Sequence, residues 1–324
     1  MAQIVSRVAM KPAISHRNAY ILLTLTMLMW STNFVIARAL HGLIGPFTLA
    51  FARWGIALCC LLPIALPRLR REWPGLRRQW RLLLLLGLFG IGLTNSFLYW
   101  AVRTTTATNA VILNSATPVM VLLLGSLYFR QRLSRRQWSG MALALSGALL
   151  IVLKGDPRAL AGFHFGGGDL LVLAGGLSWA VYTLGLRKLK PGIDPLVLMA
   201  TLLLIGELLL LGPFAWEASG SGWPSLGGGA WASLIYLGLL PSVLAYLMYN
   251  RAVAVVGTAR AAGFLYLMPA FGALQSILLL GEELRWYHAA GLAAIFGGIA
   301  LSSLLRARPA ADGAPLPAGA AKRA

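Results

Sequence analysis

One stretch of this chain occurs twice, and the doubling constrains the fold more than anything else in the sequence. Ala107–Gly147 reads ATNAVILNSATPVMVLLLGSLYFRQRLSRRQWSGMALALSG, and its second copy runs from Thr258 to Gly298. A shift of 151 residues sets Ala110 on Ala261, Pro118 on Pro269, Leu133 on Leu284, Gly140 on Gly291 and Gly147 on Gly298. The doubling continues upstream. At a shift of 149, Trp30 falls on Trp179, Arg38 on Arg187 and Pro46 on Pro195. At 151, Gly87 falls on Gly238 and Ala101-Val102 on Ala252-Val253. A period this long is not that of a solenoid; it describes two equivalent halves.

Those halves are built of long apolar runs. The chain is 58% hydrophobic and only 11% charged over 324 residues, far from the composition of a soluble domain. About 20 such residues cross a bilayer. Ten spans are expected: 19–40, 46–67, 82–102, 107–129, 137–154, 170–189, 195–215, 231–252, 258–280 and 287–305. The runs are continuous rather than alternating, so the fold class is an all-α polytopic membrane protein and not a closed barrel. Five spans per half is an odd number. If the first half starts inside, the second starts outside, which makes the two five-helix repeats (19–154 and 170–305) inverted. That architecture belongs to secondary transporters with a site near the midplane. Residues 155–169 are read as an external linker, and Gly166-Gly167-Gly168 and Gly227-Gly228-Gly229 as flexible loops.

The net charge of +19 does not indicate a nucleic-acid partner, because its distribution follows the bilayer. With the N-terminus in the cytoplasm, twenty of the 28 Lys and Arg fall in cytoplasmic segments, and only Arg103, Lys154, Arg158 and Arg285 lie opposite. This is the positive-inside signature. It predicts a multi-pass protein of the cytoplasmic (inner) membrane with both termini cytoplasmic. Residues 1–18 form a cytoplasmic N-terminal segment, and the Ala-, Pro- and Gly-rich stretch 306–324 a disordered cytoplasmic tail. The adjacent Cys59 and Cys60 make neither a disulfide framework nor a metal site. No cofactor or metal is expected.

Polar groups inside apolar spans lean functional. The first span carries Trp30 and Asn33, and the sixth carries Trp179 and Tyr182; each pair lies three residues apart on one helical face. The third span carries Asn95 and Tyr99, the eighth Tyr246 and Asn250, each pair spaced i, i+4. Under the 151 shift Asn95 lies on Tyr246 and Tyr99 on Asn250, so the residue types are exchanged and the face retained. In the fourth span Asn114 is one turn before Pro118; Tyr266 precedes Pro269 in the ninth. Proline inside a helix removes a hydrogen bond and frees a carbonyl, which can line a cavity. The plain alternative for all of these is helix packing. Two ionisable groups lie within spans, Arg53 in the second and Glu207 in the seventh, and each calls for a partner or a water path. Glu207 is the coupling candidate for a proton, with a structural hydrogen bond as the plainer reading. Small residues at Gly140, Ala144 and Gly147, and at Gly291, Ala294 and Gly298, suit internal packing or a homodimer contact.

In sum of motifs, the chain resembles the EamA-type branch of the drug/metabolite transporter superfamily. The residues that carry the likeness are Trp30, Asn33-Phe34 and Arg38; Pro46 and Arg53; Pro118 and Arg130-Gln131-Arg132-Leu133; Ser178-Trp179-Ala180 and Tyr182; and Pro269, Gly281-Glu282-Glu283-Leu284 and Gly291. They span about residues 19–305. The family usually has a glutamate after the fourth span of each half; here the second half has Glu282 but the first has Gln131. The resemblance implies ten helices, a central cavity lined mainly by helices 1, 3, 4, 6, 8 and 9, and export of small metabolites, commonly amino acids. Trp30, Tyr99, Trp100, Trp179, Tyr182, Tyr246 and Tyr249 would supply stacking surface for an aromatic amino acid. Broad drug efflux and nucleotide-sugar transport are in-class alternatives, though no midplane Lys/Arg cluster for a diphosphate is evident. A membrane-embedded lipid-modifying enzyme would need a reactive constellation near the interface; His16, His41, His164 and His288 are scattered. The implied partners are a small-molecule substrate and the lipid bilayer.

Overall fold

The computed structural model describes residues 14–303 apart from 41, 102, 106, 131–133, 159–165, 191, 222–223, 281, 282 and 284. The N-terminal residues 1–13, the tail 306–324 and the Gln131 and Glu282 positions lie outside the described residues. Among the described residues the chain is helical and without strands. The helices run in order α1 His16–Ala39, α2 Pro46–Arg78, α3 Trp80–Ala101, α4a Ala107–Asn114, α4b Thr117–Phe129 and α5 Arg135–Val152. Then come α6 Gly167–Gly185, α7 Pro195–Ser221, α8 Gly228–Val256, α9a Thr258–Phe264, α9b Leu267–Leu280 and α10 Trp286–Ser303. Six are long and apolar enough to cross a membrane: α2, α3, the run Ile112–Phe129, α6, α7 and α8. Leu25, Leu66, Leu85, Leu208, Leu278 and Phe296 point outward. So much exposed apolar surface needs lipid to cover it.

The two halves repeat the same irregularities. α3 widens into a π-helix at Gly87–Leu93 and α8 at Gly238–Leu244, 151 residues apart at both ends. Pro241 has no N–H to donate, and the first segment is glycine-rich, so neither supports a regular ladder. Both π-helices start on a glycine held against a facing helix. A Cβ at Gly87 would come within 2.7 Å of Cβ of Ile205 on α7, and one at Gly238 within 2.8 Å of Cβ of Ile56 on α2. Ile56 and Ile205 are themselves equivalent at a shift of 149. The proline breaks repeat likewise: turns at Ser115-Ala116 and Leu265-Tyr266 separate the pieces of α4 and α9.

Contacts between the halves are paired in the same way. α1 packs on α8 as α3 packs on α6, α4b on α6 as α9b on α1, and α2 on α7. α5 and α10 pack most intimately of all. A Cβ at Gly147 would lie 2.6 Å from the Gly291 carbonyl oxygen, and one at Gly140 2.7 Å from that of Gly298. These contacts run in opposite directions along the two helices, so α5 and α10 are antiparallel. The small-residue stripes therefore serve packing within the chain.

Two expectations are corrected. The second helix does not end near residue 67 but continues through Pro67 and Pro74 to Arg78. Leu76 on this extension is buried, Leu69 packs against the core, and Gly75 faces Ile193, so an amphipathic face prolongs it. The glycine triplets are not simple linkers either. Gly167 and Gly228 begin α6 and α8. Gly168 is buried, and a Cβ there would stand 2.9 Å from Thr105 N and 3.0 Å from the Ala101 carbonyl. The absence of a side chain is what lets α6 start against the end of α3.

Candidate functional site

A cavity lies where the halves meet. Trp30 and Asn33 of α1, Arg53 of α2, Thr94, Asn95 and Leu98 of α3, Asn114 and Thr117 of α4, Gly175, Gly176 and Trp179 of α6, and Tyr246 of α8 line it. It is a small cavity with an open mouth. Aromatic rings close its inner end. The Trp30 and Trp179 rings meet edge to face at 4.9 Å, and Tyr246 lies 5.4 and 5.6 Å from them. Tyr249 stands 5.1 Å from Trp30 and 5.2 Å from Trp179. Such pairs contribute about 0.5–1.5 kcal/mol each beyond area burial.

The π-helices hold these rings. Carbonyls in both segments accept from ring side chains of another helix. Trp30 Nε1 donates to the Pro241 carbonyl at 2.9 Å, and Tyr246 Oη to that of Gly90 at 3.1 Å. Thr94 Oγ1 and Ser242 Oγ each donate back five residues, to Phe89 O and Leu237 O, both at 2.6 Å.

Beside the rings sits a buried cation. Arg53 is 1% exposed. Its Nε donates to Ser242 Oγ at 2.6 Å. Its Nη1 donates to Tyr99 Oη at 2.7 Å and to Asn33 Oδ1 and Asn95 Oδ1, both at 3.3 Å. Tyr99 Oη in turn donates to Asn33 Oδ1 at 2.9 Å. The guanidinium carbon lies 4.3 Å from the Trp54 ring. All these acceptors are neutral, and among the described residues no carboxylate reaches Arg53. An intramembrane charge costs ~2.5–3.5 kcal/mol on insertion scales, so a polar shell this complete is what keeps it in place.

Of the residues expected at the site, Trp30, Asn33, Asn95, Asn114, Trp179 and Tyr246 line the cavity. Tyr99 stands behind it as part of the Arg53 shell. Tyr182 and Asn250 bond to each other, Oη to Oδ1 at 2.9 Å, and do not line it. That bond is the repeat counterpart of Tyr99–Asn33, with the residue types exchanged. Pro118 and Pro269 do not line the cavity; they stand at the starts of α4b and α9b, and Asn114 Oδ1 accepts from Thr117 Oγ1 at 3.3 Å across the break. Glu207 is elsewhere, between α7 and α2: a Cβ at Gly55 would lie 3.1 Å from its Oε1. It is 7% exposed, and neither oxygen has a hydrogen-bond partner among the described residues; the structural hydrogen bond expected for it is not there. The sequence reading left Arg53 off the site although a cation inside a span marked it. It gave no sign of Ser242.

The cavity extends towards one face only. Along α6 its residues lie between Trp179 and the helix start, and along α3 between mid-helix and Ala101. At that face Thr105 donates to Asp169, whose other oxygen caps Gly166 N at 2.8 Å. There too Glu217 accepts from Thr48 N at 2.8 Å and pairs with Arg103 at 3.5 Å. At the opposite face Arg68 pairs with Asp194 at 3.3 Å, and Lys190 N donates to Gln79 Oε1 at 2.8 Å.

A family model described as the EamA-like transporter family matches the chain twice, at residues 17–153 and 166–304. An "Uncharacterized transporter" of Archaeoglobus fulgidus is 30% identical over 284 residues, covering 88% of this chain and 96% of its own. A "Probable amino-acid metabolite efflux pump" of Salmonella typhimurium is 28% identical over 85% of this chain and 91% of its own. A solved crystal structure superposes with a TM-score of 0.72 at 22% identity, covering 90% of this chain and 98% of that one.

Proposed function

Because the chain belongs to the EamA-like transporter family, we propose that it exports small metabolites, amino acids foremost, across the cytoplasmic membrane by alternating access. The observation that carries this reading is the cavity: it lies midway between two repeated halves and is closed on one side by a ring of aromatics. The two halves are taken to be inverted five-helix repeats, 19–154 and 170–305, giving ten spans. The matching π-helices, the paired interhelical contacts and the antiparallel α5–α10 seam support that. With both termini in the cytoplasm, the face towards which the cavity extends is external, and the structure is the outward-facing state in which an exporter releases its solute. A small amphipathic solute would stack on Trp30, Trp179 and Tyr246 and meet the amides of Asn33, Asn95 and Asn114. The efflux-pump relative supports the amino-acid class.

Purified protein in proteoliposomes preloaded with unlabelled L-leucine or L-phenylalanine should accumulate the labelled form by counterflow. No counterflow of any amino acid by folded protein would remove the substrate class.

A further inference from the structure

We propose that Arg53 is the substrate-carboxylate site: the cavity selects solutes with a carboxylate, which binds Nη2 of this guanidinium. The proposal rests on the transport reading and deepens it. Three observations converge. Arg53 lines the cavity yet is 1% exposed, so its charge is spent on the cavity and not on bulk water. Its shell is wholly neutral: Ser242, Tyr99, Asn33 and Asn95 orient Nε and Nη1, while no hydrogen bond to a described residue runs from Nη2. Nη2, held in place by that shell and without a counter-ion among the described residues, keeps its N–H groups for a charge-assisted bond to a carboxylate oxygen.

The third observation is the repeat itself. At the shift of 149, Arg53 falls on Leu202, which is fully buried at the equivalent contact. The carbonyl of Arg53 lies 3.1 Å from a Cβ built on Gly238, and that of Leu202 3.3 Å from one built on Gly87. The same helix crossing is thus made once with arginine and once with leucine. The architecture does not require the cation. Its shell has been exchanged too, since Ser242 falls on Ile91. One half therefore carries a charge that packing does not explain, and it carries it at the cavity wall.

The test uses the full chain in detergent and reads quenching of its tryptophans, two of which line the cavity. The probes are L-leucine, 4-methylpentanoate, L-leucinamide and 3-methylbutylamine, which share a side chain and differ in the charged ends. The two carboxylates should bind at least about tenfold more tightly than the amide and the amine. Arg53→Leu, which copies the other half, should reduce that ratio to near one, and Arg53→Lys should keep part of it. Equal binding of all four probes by the unmutated chain would overturn the proposal, as would absent quenching by both carboxylates or a ratio that survives in folded Arg53→Leu. Leucine counterflow matched by equal leucinamide flux would sink the role of Arg53 and leave transport standing. Binding of 4-methylpentanoate that depends on Arg53, without amino-acid flux, would do the reverse.

Discussion

Tyr99 is the residue on which the polar side of the cavity turns. Its hydroxyl takes a hydrogen bond from Arg53 and gives one to Asn33, so Tyr99→Phe leaves two buried groups short of a partner. Losing one such bond costs ~1–3 kcal/mol of stability, and it loosens Arg53 and Asn33, which line the cavity. Tyr99→Phe should raise the half-saturation concentration in a flux assay, while Leu209→Ala, on the outward face of α7, should leave it unchanged. Asn250→Ala acts differently, because Asn250 holds Tyr182, which does not line the cavity, whereas Tyr99 holds Arg53 and Asn33, which do; its effect should fall on maximal flux more than on half-saturation. Glu207 is buried, without a hydrogen-bonded partner among the described residues and away from the cavity. If it carries a proton, Glu207→Gln should abolish gradient-driven flux and spare exchange; unchanged pH dependence in the variant would exclude that role. The polar faces were legible from spacing, because i, i+4 fixes a helical face without knowledge of neighbours. The Arg53 shell was not, since it joins α1, α2, α3 and α8, and no spacing rule relates residues on four helices.

Helices here are shaped by a few glycines and prolines. At α5–α10 the backbones touch, and Gly147 stands 2.8 Å, measured from an added Cβ, from the Ala294 methyl. Gly147→Val should destabilise the protein by ~1–3 kcal/mol through overpacking, seen as a lower melting temperature in detergent. Gly212→Ala, where an added methyl meets nothing within 4 Å, should not lower it. Apolar runs were enough to locate the helices, as the 3.6-residue pattern and bilayer length are local properties. The extension of α2 to Arg78 was hidden by Pro67 and Pro74, which read as breakers but stand where Leu69 and Leu76 reward continuation. The π-helices were equally hidden. Gly87 and Gly238 were seen to repeat, but a glycine does not reveal that Ile205 or Ile56 will press on it from another helix.

For the molecule as a whole, elements that the repeat register makes equivalent meet: Trp30 and Trp179 stand ring against ring, and α5 packs on its own copy. The register also pairs Arg53 with Leu202 and Glu207 with Leu58, but it does not say what surrounds either charge. The orientation proposed from the charge asymmetry is checked by labelling: cysteines at Arg77 and Gly228 should react from opposite sides of the membrane. The central claim is that one cavity between two opposed halves opens to the outside and holds the solute. Its most direct measurement uses a chain in which Cys59 and Cys60 are replaced by Ala and Leu98→Cys is added, in sealed right-side-out vesicles with an impermeant maleimide. Leu98→Cys should be labelled from outside and protected by a transported amino acid, while Arg77→Cys is labelled only once the vesicles are opened. Leu98→Cys silent from outside, or labelled at the same rate with and without the solute, would contradict the account.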